Sequence, residues 1–176
     1  LVHALLKMTP YMGSVFLDDI EIDEWNPSDL RRDIGLVSSE TYLLSDTIEN
    51  NIRIGNPKLS DSELNSVLKE WQLLRSGERK FELSTEAGER GLGMSAGERQ
   101  RLAFARAFAR PVRLLICDEG TSSLDVELER GLIKDVRQKM LSRTVIWISH
   151  RRDNIEMFDR IIDLDAPPPE AAQGSL

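Results

Sequence analysis

The stretch LLICDEGTSSLD, residues 114–125, constrains this chain more than any other. An apolar run from Leu114 to Cys117, with Val112 just upstream, drives straight into the adjacent carboxylates Asp118 and Glu119. A small polar turn follows. A short apolar run of this kind reads as a buried strand. Buried carboxylates without partners are strongly destabilising, so something at the end of this strand must neutralise them.

The rest of the chain supplies a setting for such a strand. Val15–Asp18 predicts a short strand, and NPSDLRRD at 26–33 a helical turn with Pro27 near its start. Ile34–Ser38 is a second strand and Thr47–Ile52 a short helix. Over 60–72, Ser60 and Glu63 form a capping box, and Leu64, Val67, Leu68 and Trp71 follow helical spacing. Ser95 opens a helix running to about Ala109, with Pro111 beyond its end. Leu128, Leu132, Val136 and Met140 mark another helix, Thr144–Ser149 a strand, and Arg160–Leu164 a last strand. Strands alternating with helices predict an α/β fold with a mostly parallel sheet.

Composition narrows the classes. With 176 residues, 40% hydrophobic and 30% charged, the chain has enough material for one domain with a sizeable core. A formal charge of −7 weighs against nucleic acid as a partner. It leaves room for a local anion site, because helix N-termini and a metal can reverse the field at one point. The single cysteine, Cys117, lies inside the apolar run and reads as a buried core thiol. No apolar run approaches the roughly 18 residues of a membrane-spanning helix. The tail after Asp165, APPPEAAQGSL, is Pro-rich and predicts disorder.

Three segments carry chemistry. In an open parallel sheet, ligands bind beyond the C-terminal ends of the strands. Asp118 at such an end suits a Mg²⁺ ion shared with phosphate oxygens, and Glu119 suits polarisation of an attacking water. A strand ending in a solvated turn is the bland alternative. The second segment is MSAGERQRLAFARA, 94–107. Ser95 and Glu98 form a capping box, while Ala96 and Gly97 leave the first turn nearly bare. Exposed N–H groups, the helix dipole and a hydroxyl together could receive a γ-phosphate. The arginines at 99, 101, 106 and 110 read mostly as a solvated helix face. The third segment, TVIWISHRRD at 144–153, delivers His150 to a strand end, either as a structural histidine or as a phosphate sensor that orients the water.

Taken together and in order, MSAGE, the Arg-rich helix, LLICDE, TSSLD and ISH resemble the ATP-binding domain of ABC transporters over Leu1 to about Asp165. The resemblance implies a P-loop NTPase-like α/β fold with a helical subdomain over about 45–110. It makes Ser95, Ala96, Gly97 and Glu98 the signature motif, Asp118 the metal-facing Walker B carboxylate and Glu119 the catalytic base. Ser122–Asp125 stands for the D-loop, with Asp125 nucleotide-facing, and His150 for the switch histidine. STEAGERG at 84–91 and LSDTIENNI at 44–52 resemble exporter segments. ATP and Mg²⁺ are the implied cofactors. A second ABC ATPase domain and transmembrane domains, fused or separate, are the implied partners, at the cytoplasmic face of the cell membrane.

Two departures stand out. No G-x-x-x-x-G-K-[ST] phosphate loop occurs in the chain; its expected place is just before LVHALLKM, which reads as a helix already in progress. The chain is therefore expected to be a truncated domain that is inactive alone. Ser39 occupies the position of the family's Q-loop glutamine and is too short for the same reach. Two alternatives stay open: a degenerate, non-hydrolysing subunit of a heterodimer, and a soluble ABC-type ATPase acting on DNA.

Overall fold

A computed structural model describes residues 1–39, 42–71, 83–88 and 93–164. The predicted tail after Asp165 and part of the 84–91 segment lie outside them. The chain opens with α1 (Val2–Leu5), then β1 (Phe16–Leu17) and β2 (Ile20–Glu21). The strand expected at Val15–Asp18 is in fact one arm of this antiparallel hairpin. Asp18 and Asp19 turn it at φ 51° and 63°, a left-handed conformation that short polar residues tolerate.

Next come α2 (Pro27–Asp33), β3 (Ile34–Ser38), α3 (Ile48–Arg53), α4 (Asp61–Glu70) and α5 (Ala96–Ala107). The chain continues through β4 (Leu114–Asp118), α6 (Val126–Lys139), β5 (Thr144–Ile148) and a 3-10 turn at Ile155–Met157. Helices α2 to α6 begin at polar caps. Asn26 accepts from Ser28 N–H, and Thr47 from Asn50 N–H. Ser60 and Ser95 each open a full capping box with a glutamate three residues on.

The order β3-β4-β5 forms one parallel sheet, with Ser38, Asp118 and Ile148 level across it. Its faces follow the two-residue period of a strand. Val37, Leu115 and Cys117 point into a large core shared with Ile52, Leu68, Leu102 and Val136, which Val145 and Trp147 flank. Ile34, Leu114 and Ile116 point the other way, against Val2, Leu6 and Leu30. Burial on both faces explains why LLIC is continuously apolar instead of alternating.

Aromatic rings extend the larger core. Trp71 stacks on Phe104 at 5.3 Å and on Phe108 at 5.1 Å, and Phe104 lies 6.2 Å from Trp147. Trp71 caps α4 instead of lying within it, yet it is fully buried.

Three expectations need correction. Arg160–Leu164 forms no strand, and Ile161, Ile162 and Leu164 are exposed. Among the described residues their strand propensity finds no partner, and propensity without cross-strand packing is weak. Leu128 is 46% exposed; the buried face of α6 holds Glu129, Leu132, Ile133 and Val136. The arginine face of α5 is also not simply solvated. Arg106 donates to Tyr42 O, Asn51 O and Asn51 Oδ1, and Arg110 to the carbonyls of Arg31, Arg32, Ile34 and Gly55. Burial pulls both guanidinium pKa values below the usual range. A planar five-donor head can cap several carbonyls where water is scarce.

Candidate active site

The parallel register brings three expected site residues to one edge. Asp118 ends β4, with Glu119 the next residue, and His150 follows the end of β5. Ser39 joins them, because its N–H donates to Asp118 O at 3.0 Å and continues the ladder past β3. The Glu119 N–H donates to Ile148 O at 2.9 Å, so the carboxylate pair is held to both neighbouring strands.

Glu119 has φ 52°, a conformation that side-chain-bearing residues adopt at a cost of order 1–3 kcal/mol. The turn it begins is closed by Ser122 N–H to Glu119 O at 3.1 Å and Leu124 N–H to Thr121 O at 2.9 Å. The kink swings the glutamate away from the line of the strand. Its Oε1 then lies 2.7 Å from His150 Nε2. Both side chains reach solvent, at 40% exposure for Glu119 and 88% for His150.

Gly120 explains the tightness of the turn. A Cβ there would lie 2.8 Å from Cys117 Sγ and 3.1 Å from both Gln100 Nε2 and Val37 Cγ1. Only glycine lets α5, β3 and β4 close around this point. Cys117 is the buried core thiol the sequence predicts, and burial pushes its pKa up to about 12.

The remaining expected residues stand on helix starts. Asp125 caps α6, its Oδ1 accepting from Leu128 N–H at 2.9 Å. Ser95 caps α5: its Oγ accepts from Glu98 N–H at 3.3 Å, and Glu98 Oε2 accepts from Ser95 N–H at 2.6 Å. Arg99 adds a bond to Met94 O at 2.6 Å. At the bare first turn a Cβ on Gly97 would meet Leu128 Cδ1 alone, at 3.9 Å, so this helix start is open.

The sequence reading missed a polar network behind the site. Glu129, Thr121 and Asn154 are buried and hydrogen-bonded together, with Arg151 beside them. A signal was available. Glu129 stands three residues before Leu132 and seven before Val136, which puts a carboxylate on an apolar helix face.

A divalent ion fits the donor chemistry. Among the described residues, no group of three or more His, Cys, Asp or Glu side chains forms a ready-made metal cage. Magnesium characteristically takes one or two carboxylates and fills its octahedron with water and phosphate oxygens. Asp118, partly exposed at the strand end, suits that role.

Comparison with known proteins places the chain in a family. The ABC transporter family model matches residues 1–122. An ATP-dependent lipid A-core flippase of Colwellia psychrerythraea is 36% identical over 154 residues, covering 87% of this chain and 26% of the flippase. The mitochondrial iron-sulfur clusters transporter ATM1 of Saccharomyces cerevisiae is 37% identical over 161 residues, covering 89% of this chain and 23% of the transporter. A bacterial Atm1-family ABC exporter solved with ATP bound superposes with a TM-score of 0.73 at 32% identity, covering 85% of this chain and 27% of that one. The chain thus spans about a quarter of the length of the curated relatives it matches. These relatives do not favour the DNA-acting alternative. Its fold is that of an ABC ATPase domain, and the chain belongs to the ABC transporter family.

Proposed function

We propose that this chain is the ATP-hydrolysing part of an ABC exporter and works with a phosphate-binding loop supplied from outside its 176 residues. The observation that carries this reading is the contact between Glu119 and His150, 2.7 Å apart beyond the ends of adjacent parallel strands, with Asp118 beside them. Phosphoryl transfer needs positioning and charge neutralisation more than covalent chemistry. Asp118 would hold Mg²⁺, which would neutralise charge on the phosphates. Glu119 would accept the proton of the attacking water. His150 would hold the Glu119 carboxylate in place through its Nε2. The first turn of α5, from Ser95 to Glu98, would receive the γ-phosphate of an ATP held by a second ABC ATPase domain. Asp125 would face the same interface. Ser39 would stand at the edge of the metal site, its short hydroxyl reaching it only through water.

The likeness to a lipid A-core flippase and to an iron-sulfur clusters transporter supports export as the use of this hydrolysis, driven through transmembrane domains at the cytoplasmic face of a membrane. Among the described residues, no helix is long and apolar enough to cross a membrane. The helices from about 45 to 110 would form the subdomain that meets those domains. Here the 46–49 segment bonds to 83–87, through Ile48 N–H to Thr85 O and Ala87 N–H to Asp46 O. The described parts of the two exporter-like segments therefore lie side by side. The deciding experiment measures Mg²⁺-dependent ATP turnover of the protein carrying this chain together with a P-loop, beside its Asp118→Asn variant. Turnover that survives Asp118→Asn undiminished would overturn the assignment.

A further inference from the structure

Helix α6 carries a carboxylate on its buried face. Glu129 is 3% exposed among Leu132, Ile133 and Val136. An uncompensated carboxylate there would be strongly destabilising. Thr121 Oγ1 donates to its Oε1 at 2.6 Å, and Asn154 Nδ2 donates to its Oε2 at 3.0 Å. Arg151 Nη1 stands 3.9 Å from Oε2 and donates to Leu124 O at 2.6 Å. Asn154 is held in turn by Arg130, whose Nε donates to Asn154 Oδ1 at 3.1 Å.

The chain positions of these partners matter more than their number. Thr121 follows Glu119 by two residues, and Leu124 closes the same turn. Arg151 follows His150 directly, and Asn154 lies in the same loop. One buried carboxylate therefore ties the loop leaving Glu119 to the loop leaving His150. The solvent-reaching Glu119 and His150 side chains depend on those two loops for their mutual placement.

We propose that Glu129 is a positioning residue for ATP hydrolysis: it clamps the 119–124 turn to the 150–154 loop and thereby sets the Glu119–His150 geometry. The proposal rests on the hydrolysis reading above. Glu129 touches no reacting atom and acts through the two residues it aligns.

The test uses the P-loop-bearing protein and measures kcat, KM for ATP and melting temperature. Glu129→Gln keeps the shape but turns an N–H₂ group toward donors. Displacing a catalytic group by about an ångström can cost on the order of a hundredfold. The expected result is a kcat lower by roughly tenfold to a hundredfold, with KM for ATP little changed. In a Glu119→Gln background, Glu129→Gln should add no further loss, because its effect passes through Glu119. Thr121→Val and Thr121→Ser guard against misfolding of the Glu129 variant. The valine should lower kcat and the serine, which keeps the hydroxyl, should restore it. Parental kcat in both Glu129→Gln and Thr121→Val, while Glu119→Gln is inactive, would overturn the clamp. So would a full further loss in the Glu119→Gln background. Parental turnover by Glu119→Gln itself would overturn the hydrolysis reading instead.

Discussion

His150 Nε2 lies 2.7 Å from Glu119 Oε1, although the two residues follow different strands and only the parallel register brings them level. On the proposed reading the contact gives the two residues distinct roles, since a carboxylate that accepts a proton must first be held still. Glu119→Gln in the P-loop-bearing protein should lower turnover by roughly 10²–10⁴, or about 3–5 kcal/mol of barrier. ATP binding should survive. His150→Ala should cost less, and the double variant should turn over no more slowly than Glu119→Gln alone. Steady-state ATPase assays decide it, and independent, multiplicative losses would separate the two residues.

The 176-residue chain by itself should show no ATPase activity, because the amides and lysine of a P-loop hold the β- and γ-phosphates in this chemistry. Robust Mg²⁺-dependent turnover by the purified chain would refute this.

Gly55 offers a test of the packing between α3 and α5. A Cβ there would stand 2.1 Å from Arg106 O, which is main chain and cannot swing aside. Arg106 is also fixed by three bonds to Tyr42 and Asn51. Gly55→Ala should therefore destabilise by about 1–3 kcal/mol, as overpacking does. Thermal melting should drop by several degrees, at roughly 2–4 °C per kcal/mol for a domain of this size. An unchanged melting curve would mean that α3 and α5 are not locked together here.

Cys117 gives a pH-dependent handle. Burial raises its thiol from 9.0 to about 12, so the folded state favours the protonated form. This contribution is fully present below about pH 9 and is lost as pH rises from there toward 12. Since the thiolate is the reactive form, iodoacetamide at pH 8.5 should leave the native thiol unmodified and alkylate it rapidly in denaturant. Fast alkylation of the native protein would contradict its burial.

Much of the fold was legible because local and tertiary signals agreed. LLICD, Ile34–Ser38 and the capping boxes at Ser60 and Ser95 each form what their sequence implies. Asp118, Glu119 and His150 could be expected together because the ends of parallel strands meet along one edge, and the structure brings them there. Other features depended on partners distant in sequence. Glu129 is marked in the sequence by its place on an apolar helix face, but the partners that satisfy it, Thr121 and Asn154, emerge only in the fold. Arg106 and Arg110 resemble solvated residues until they meet carbonyls some 55 to 79 positions away. Ile161 and Ile162 carry strand propensity, and among the described residues no strand pairs with them.

Ser95 is where an observed cap and the proposed phosphate role would coincide, and one substitution separates them. Its Oγ accepts from Glu98 N–H, so it caps α5 whatever else it does. Aspartate caps as well as serine, and a negative charge suits a helix N-terminus. Ser95→Asp should therefore leave thermal stability within about 0.5 kcal/mol of the parent. A γ-phosphate arriving from a second ATPase domain would meet that new charge in a partly desolvated interface, where repulsion is weakly screened. ATP-dependent dimerisation of the P-loop-bearing protein should then fail, while ATP binding to the separate protomers persists. Light scattering with and without ATP, beside a melting curve, reads both effects. Intact dimerisation in Ser95→Asp would leave Ser95 as a cap alone and remove the start of α5 from the phosphate site.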